Sequence, residues 1–127
     1  MFKNSRAFSS FSVSDLKVAK EFYGETLGLD VTETSEGLDI ALAGGGMLFL
    51  YSTGEASPAE YTVLNFPVVS VEETVEALME KGIRMEQYDM PYLKTDAKGI
   101  VRADRGPKSI AWFKDPDGNI LSVLEEK

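Results

Sequence analysis

The sequence contains no cysteine and no histidine, and these two absences exclude several kinds of site. Without Cys the chain cannot form a disulfide, a thiolate zinc site or a cysteine nucleophile, which is typical of proteins from a reducing compartment. Without His it lacks the commonest general base and the commonest metal ligand of enzymes. A Ser nucleophile would have no imidazole partner either.

Basic residues are fewer than acidic ones. The chain has 13 Lys and Arg and 21 Asp and Glu, which gives a formal net charge of −8. Nucleic acids bind to basic surfaces, so this balance argues against a nucleic-acid partner. The sequence has no long apolar run, and its first residues alternate short polar and apolar side chains. This pattern predicts neither a signal peptide nor a membrane span, and we expect a cytoplasmic protein without a membrane partner.

An internal repeat is the most informative feature that is present. A chain of 127 residues suits one domain, and six residues recur about 55 positions later. The sequence therefore predicts a single domain over residues 1–127, with a first module over about residues 1–55 and a second over about 60–127. The first copy has Phe11, Val13, Asp15, Leu16, Tyr23 and, after one extra residue, Gly28; the second has Phe66, Val68, Ser70, Val71, Leu78 and Gly82.

Each copy reads as one strand, one helix and three further strands. Asp15 and Ser70 are suitable N-caps, and Ser70 with Glu73 forms a capping box. Gly28 and Gly82 are suitable helix stops. In the first copy the strands are expected at residues 6–13, 29–34, 38–43 and 47–52. In the second they are expected at 61–68, 83–87, 108–113 and 119–124, with residues 88–107 as an extended connection that is either a cover or plain surface.

Two turns separate strands of this pattern. The Asp115-Pro116-Asp117-Gly118-Asn119 segment has the residues that a tight turn requires. The three glycines at 44–46 suggest a phosphate-binding loop, but no helix with a Lys follows them, so a hairpin is favoured.

These motifs resemble the vicinal oxygen chelate superfamily, also called the glyoxalase, bleomycin-resistance and dioxygenase fold. The resemblance is carried by the run from Val13 to Leu16, by Phe22-Tyr23 and Leu27-Gly28-Leu29, and by the turn at 115–119. It covers nearly the whole chain. It implies an α+β fold in which two tandem βαβββ modules form a curved mixed sheet around a cleft, commonly within a homodimer.

The resemblance also implies where a metal ion would be held. Counting along the motifs gives Phe8 and Val63 on the first strands and Ser122 on the last. The repeat gives Phe49 as the fourth position, with Tyr51 as its alternative. None of Phe8, Phe49, Val63 and Ser122 is a competent ligand for a divalent ion, so the sequence predicts no metal and no cofactor.

The side chains at these positions have two interpretations. Apolar residues on strands are usually core, so Phe8, Phe49 and Val63 can simply fill a degenerate module. Alternatively they line a cavity, since the same strand faces carry hydrogen-bonding groups suited to a small-molecule pocket. Those groups are Ser10, Ser12, Asn65 and Ser122.

Aromatic and basic residues outside this set have similar alternatives. Tyr88, Tyr92 and Trp112 can stack on a planar ligand, although Trp112 also suits a core or an interface. Arg102 and Arg105 can hold a carboxylate or can pair with surface acids.

Three functions remain open. The favoured one is a metal-free protein that binds or sequesters a small hydrophobic or aromatic compound. The alternative is a glyoxalase-like lyase or isomerase, or a dioxygenase-related enzyme, with a non-standard metal site drawn from Asp39, Asp89 or Asp104. The third is a structural or regulatory module without a ligand. The ligand-binding residues of the favoured function are Phe8, Ser10, Ser12, Phe49, Tyr51, Val63, Asn65, Tyr92, Arg102, Trp112 and Ser122.

Overall fold

The computed structural model describes residues 1–102 and 108–126. The chain divides into two compact units, of which the first is Met1–Pro58 and the second begins at Ala59. Each unit contains one mixed sheet of four strands. The α+β class and the pair of similar βαβββ modules are therefore confirmed.

The elements of the first unit are β1 (Ser9–Val13), α1 (Leu16–Lys20), a π-helical segment (Glu21–Thr26), β2 (Asp30–Glu33), β3 (Leu38–Ala41) and β4 (Met47–Ser52). Its strands lie in the order β1-β4-β3-β2, with β1 parallel to β4 and the other pairs antiparallel. The helix α1 continues directly into the wider π-helical segment.

The elements of the second unit are β5 (Thr62–Pro67), α2 (Val71–Glu80), β6 (Asp89–Met90), β7 (Leu93–Lys94), β8 (Ile100–Arg102), β9 (Ser109–Lys114) and β10 (Ile120–Glu125). This unit repeats the topology of the first, with strand order β5-β10-β9-β8 and a parallel β5–β10 pair. A separate two-stranded hairpin, β6–β7, precedes β8.

The prediction of a strand at residues 83–87 is wrong. The edge position beside β9 in the second sheet is occupied by β8 instead. Only Met85 makes a bridge to the sheet, opposite Phe113. The Glu86 N–H still donates to the Trp112 carbonyl at 2.9 Å, but the next two residues bond to the chain that follows the β6–β7 hairpin. The Gln87 side chain donates to the Ala97 carbonyl at 2.9 Å, and the Tyr88 N–H donates to Thr95 Oγ1 at 2.9 Å. Two further strands lie inside the segment expected to be an extended connection.

The two helix starts have nearly identical backbones, which gives the repeat a geometric basis. The N-cap Asp15 has φ −137° and ψ 113°, and the N-cap Ser70 has φ −136° and ψ 112°. The Asp15 carboxylate accepts from the N–H groups of the first turn, and the Ser70 hydroxyl accepts from the Glu73 N–H at 3.1 Å. Both caps predicted from the sequence are confirmed.

The extra residue of the first copy lies in the π-helical segment. There the Leu27 N–H donates to the Phe22 carbonyl at 2.9 Å, five residues back, where an α-helix would bond four back. The C-terminal end of this segment is closed by a hydrogen bond from the Leu29 N–H to the Tyr23 carbonyl. The equivalent hydrogen bond at the end of α2 runs from the Ile83 N–H to the Leu78 carbonyl. The first closure spans one residue more than the second.

The core of each unit lies on the helix side of its sheet. In the first unit Tyr23, Leu38, Ile40, Leu48 and Leu50 have at most 1% of their surface exposed. Since strand residues alternate between faces, the residues between them point to the other, open side. No helix in the described parts of the chain combines the length and apolar character needed to cross a membrane.

Candidate functional site

The open face of the first sheet brings together several residues expected at a binding site. Phe49 lies in the middle of this face, with Ser10 of β1 opposite it on one side and Asp39 of β3 on the other. Cross-strand partners point to the same face, so the three side chains form one row. The next row pairs Ser12 with Tyr51. The Phe49 and Tyr51 rings stack with centroids 6.3 Å apart.

A pocket of about 540 Å³ opens on this face. Its apolar walls are Phe8, Met47 and Phe49. Phe8 lies just before β1 and is 64% exposed, and Met47 is 42% exposed. The volume lies within the range of roughly 300–1,000 Å³ that is usual for small-molecule sites. The remaining lining residues are Arg6, Ala7, Thr34, Glu36, Asp39 and Gly45.

The β2–β3 turn fixes one side of the pocket. Thr34 Oγ1 accepts from the N–H groups of Glu36 and Gly37 at 3.2 and 3.1 Å, which holds Glu36 at the pocket. Gly37 packs tightly against β4, because an added Cβ would lie 2.1 Å from the Leu50 carbonyl oxygen and 3.0 Å from the Phe49 ring. Only glycine fits here, and its closeness limits the movement of Phe49.

The charged side chains of the pocket are not paired with one another. Within residues 1–102 and 108–126, the ion pairs shorter than 4.0 Å include none made by Arg6, Glu36 or Asp39. The pocket therefore offers two carboxylates and one guanidinium beside an apolar wall. Arg6, Thr34 and Glu36, which lie outside regular strands, were not predicted as site residues from the sequence, and Asp39 was predicted only as an alternative metal ligand.

In the second unit Asn65, Ser122 and Trp112 form one row across β5, β10 and β9, with their side chains on the same face of the sheet. Ser122 is fully buried, and its hydroxyl donates to Asn65 Oδ1. The Trp112 ring meets the Tyr88 ring edge to face, with centroids 5.6 Å apart. Val63 lies at an irregularity of β5, where the register shifts between Ile120 and Leu121.

Tyr88 and Tyr92 of the second unit differ in their surroundings. Burial, followed by the negative charge of Glu86, raises the pKa of Tyr88 above its ordinary value. Tyr88 therefore stays a neutral phenol that packs against Trp112. Tyr92, at the tip of the β6–β7 hairpin, is 82% exposed.

Arg102 lies on the opposite side of the second sheet from Trp112. Its register partner is Ser109, and its guanidinium contacts Glu72 of α2 at 3.6 Å and Asp96 at 2.5 Å. Lys98 reaches Glu76 of α2 at 2.7 Å, so the residues before β8 are tied to the helix. The structure thus does not bring Arg102 together with the other candidate residues. Arg105 lies outside the described residues.

The four positions at which the family resemblance implies metal ligands do not fit a divalent ion. Phe8, Phe49 and Val63 have no donor atom, and the Ser122 hydroxyl already donates to Asn65. The described residues contain no group of three or more His, Cys, Asp or Glu side chains able to hold a metal ion. Of the alternative ligands, Asp39 and Asp89 belong to different units, and Asp104 lies outside the described residues.

The chain belongs to the Glyoxalase/Bleomycin resistance protein/Dioxygenase superfamily, whose family model matches residues 8–123. This confirms the family indicated by the sequence motifs. The match covers both βαβββ units, so the duplicated architecture is that of the superfamily.

Individual relatives are similar over nearly their whole length. YraH of Bacillus subtilis (strain 168), an uncharacterised protein, is 25% identical over 89% of this chain and 91% of its own. A glyoxalase family protein from Enterococcus faecalis is 25% identical over 98% of each chain, with a TM-score of 0.69. TnmS3, an antibiotic binding protein from Streptomyces sp. CB03234, is 25% identical over 95% of this chain and 96% of its own, with a TM-score of 0.64.

Proposed function

We propose that this protein binds a small apolar or aromatic compound on the open face of its first sheet, and that it needs no metal ion to do so. The observation that carries the proposal is the pocket of about 540 Å³ walled by Phe8, Met47 and Phe49. A ligand in this pocket would cover aromatic surface that is otherwise in contact with water. Removing such surface from water contributes about 25 cal/mol per Å².

The chemistry of the implied metal positions supports binding rather than metal-assisted catalysis. An aromatic side chain at the position of a ligand supplies a flat apolar contact in place of a donor atom. Phe49 is also held by Gly37 and by its stack with Tyr51, so its ring is oriented before a ligand arrives. A preoriented contact loses less entropy on binding than a mobile one.

The similarity to TnmS3 supports a ligand of the size and character of an antibiotic. That protein is described as antibiotic binding, and the resemblance extends over 95% of this chain. We propose sequestration of such a compound as the function, with a homodimer as the assembly that the superfamily implies. The other expected ligand contacts, including Val63, Asn65, Trp112 and Tyr92 of the second unit, stay predictions.

The test is ligand binding to chelator-treated protein, measured by thermal shift and calorimetry with a panel of aromatic compounds. At ligand concentrations of about 100 times Kd, a true ligand stabilises the folded protein by about 2.7 kcal/mol. The pocket variant is Phe8→Ala, and the matched control is Phe2→Ala, since Phe2 is 75% exposed and does not line the pocket.

We expect Phe8→Ala to weaken binding and Phe2→Ala to leave it unchanged. Both side chains are exposed, so neither substitution should unfold the protein. Equal loss in the two variants would contradict the proposed site. Binding that disappears after chelation and returns with a divalent ion would contradict the metal-free function.

A further inference from the structure

Asp39 is an unusual residue for its place in the fold. It lies within strand β3 at the centre of the first sheet, directly opposite Phe49, and is half-buried. Aspartate is depleted in strands, because its short polar side chain suits turns and caps better. No Lys or Arg of the described residues forms an ion pair with it. Within residues 1–102 and 108–126 the fold gives this carboxylate no partner of opposite charge.

The surroundings of Asp39 define what kind of group would complement it. The Phe49 ring is its neighbour on β4, and Glu36 provides a second carboxylate at the same pocket. A positive group placed there would meet one or two carboxylates and the face of an aromatic ring. Both contacts attract cations.

Arg6 contributes a positive charge to the pocket and offsets part of the negative charge of the two carboxylates. With Glu36 and Asp39 ionised, the three charged groups sum to one negative charge. The whole chain adds in the same direction with its formal charge of −8. The field at the pocket therefore favours a cation over an anion.

From this geometry we infer that the pocket selects organic cations: planar aromatic compounds that carry a protonated amine. The ring would lie against Phe49 and Phe8, and the ammonium would donate to the Asp39 carboxylate with Glu36 nearby. Asp39 is then a specificity-determining residue. This inference rests on the proposed function and names the class of its ligand.

The test compares three compounds with the same ring and different charge. They are 2-naphthylmethylamine as the cation, 2-naphthylmethanol as the neutral compound and 2-naphthoate as the anion, each titrated into the full chain at neutral pH. We expect the amine to bind about fivefold more tightly than the alcohol, as for a partly exposed charge pair. The naphthoate should bind least tightly.

The variants are Asp39→Asn and Glu36→Gln, with Glu25→Gln as the control. Glu25 lies in the π-helical segment, away from the pocket lining, and its substitution makes the same change in net charge. Asp39→Asn should remove the preference for the amine and leave the affinity for the alcohol within about twofold. Its melting temperature should stay equal or rise, because a half-buried carboxylate that has no ion-pair partner among the described residues is replaced by a neutral side chain of the same shape.

Several outcomes would overturn the inference. If the alcohol binds as well as the amine, the pocket is still a binding site but does not select for positive charge. Tightest binding of naphthoate, lost in Arg6→Gln, would make the site an anion site. If Asp39→Asn and Glu25→Gln weaken the preference for the amine equally, that preference comes from the net charge of the protein and not from Asp39. If none of the three compounds binds, the proposed function fails with the inference.

Discussion

Ser122, which is wholly buried in β10, donates a hydrogen bond from its hydroxyl to the side-chain oxygen of the exposed Asn65 on the parallel neighbour β5. Because the two partners differ in their access to water, removing one side chain should cost a different amount of stability from removing the other. Removing Asn65 leaves a buried hydroxyl without its acceptor, whereas removing Ser122 leaves an amide that water can solvate.

We therefore expect Asn65→Ala to destabilise the protein by about 1–3 kcal/mol and Ser122→Ala by about 0.5–1.5 kcal/mol. Urea unfolding of both variants and of the double variant measures this. In the double variant the cost should be less than the sum of the two. Additive costs, or a larger cost for Ser122→Ala, would show that the bond does not couple these residues.

Enlarging Ser122 tests whether vacant space surrounds it. The side chain has none of its surface exposed, so Ser122→Trp must push its neighbours apart. We expect a loss of about 1–3 kcal/mol or more in the free energy of unfolding. A variant as stable as the parent would mean that the second sheet encloses an unfilled cavity at this position.

The equivalent caps should contribute similarly to their helices. Asp15→Ala and Ser70→Ala each remove the acceptor for first-turn N–H groups, and we expect each to cost about 1 kcal/mol. Chemical denaturation measures both losses. Ser57→Ala, at an exposed position outside helices and strands, is the control and should change stability by less than about 0.5 kcal/mol.

Two glycines with positive φ should respond differently to alanine. Gly99 has φ +80°, and an added Cβ would lie 2.7 Å from the Glu86 carbonyl oxygen, whereas Gly44 has φ +91° with open space around it. We expect Gly44→Ala to cost about 1–2 kcal/mol from backbone strain alone. Gly99→Ala should cost clearly more, because strain and collision add. Equal melting temperatures would contradict the close packing of Gly99.

The residues before β8 should lose stability in acid. Burial opposes the ionisation of Asp96, but hydrogen bonds from the Ile100 N–H, the Arg102 side chain and the Lys98 N–H outweigh it and lower the pKa of Asp96 below its ordinary value. A carboxyl with a lowered folded-state pKa stabilises the protein above its unfolded-state pKa. That stabilisation is lost as the pH falls through the folded-state value.

The stability difference between the parent and Asp96→Asn should therefore be constant near neutral pH and shrink as the pH falls below about 4. Urea unfolding across this range measures it. Because the groups are exposed, the effect should be small and should decrease in high salt. A difference that grows toward low pH would have the wrong sign for this mechanism.

The parts of the fold that were predictable are those with local signals. Alternation of apolar residues identified the long strands, and Asp15 and Ser70 marked the helix starts because capping depends on adjacent residues. Strand β8 was missed because three residues carry too short a pattern, and its pairing with β9 depends on contacts distant in the sequence.

For the candidate site, counting along the family motif identified Phe8 and matching through the repeat identified Phe49, and both residues line one pocket. It did not identify Glu36, because the position of a turn residue depends on the geometry of the turn. The Thr34 hydroxyl and the close approach of Gly37 determine that geometry, and a Thr-Ser-Glu-Gly sequence between two short strands was the available signal.

The π-helical segment explains how two copies of unequal length keep the same architecture. One additional residue in a regular α-helix would rotate everything after it by about 100° around the helix axis. Here a single widened turn, Glu21–Thr26, takes up the additional residue before Gly28 redirects the chain. Strand β2 consequently enters the first sheet in the register that its pairing with β3 requires. This turn acts as a length adjuster: deleting one residue within it would give the first copy the shorter closure of the second, so we expect the first unit to tolerate that deletion.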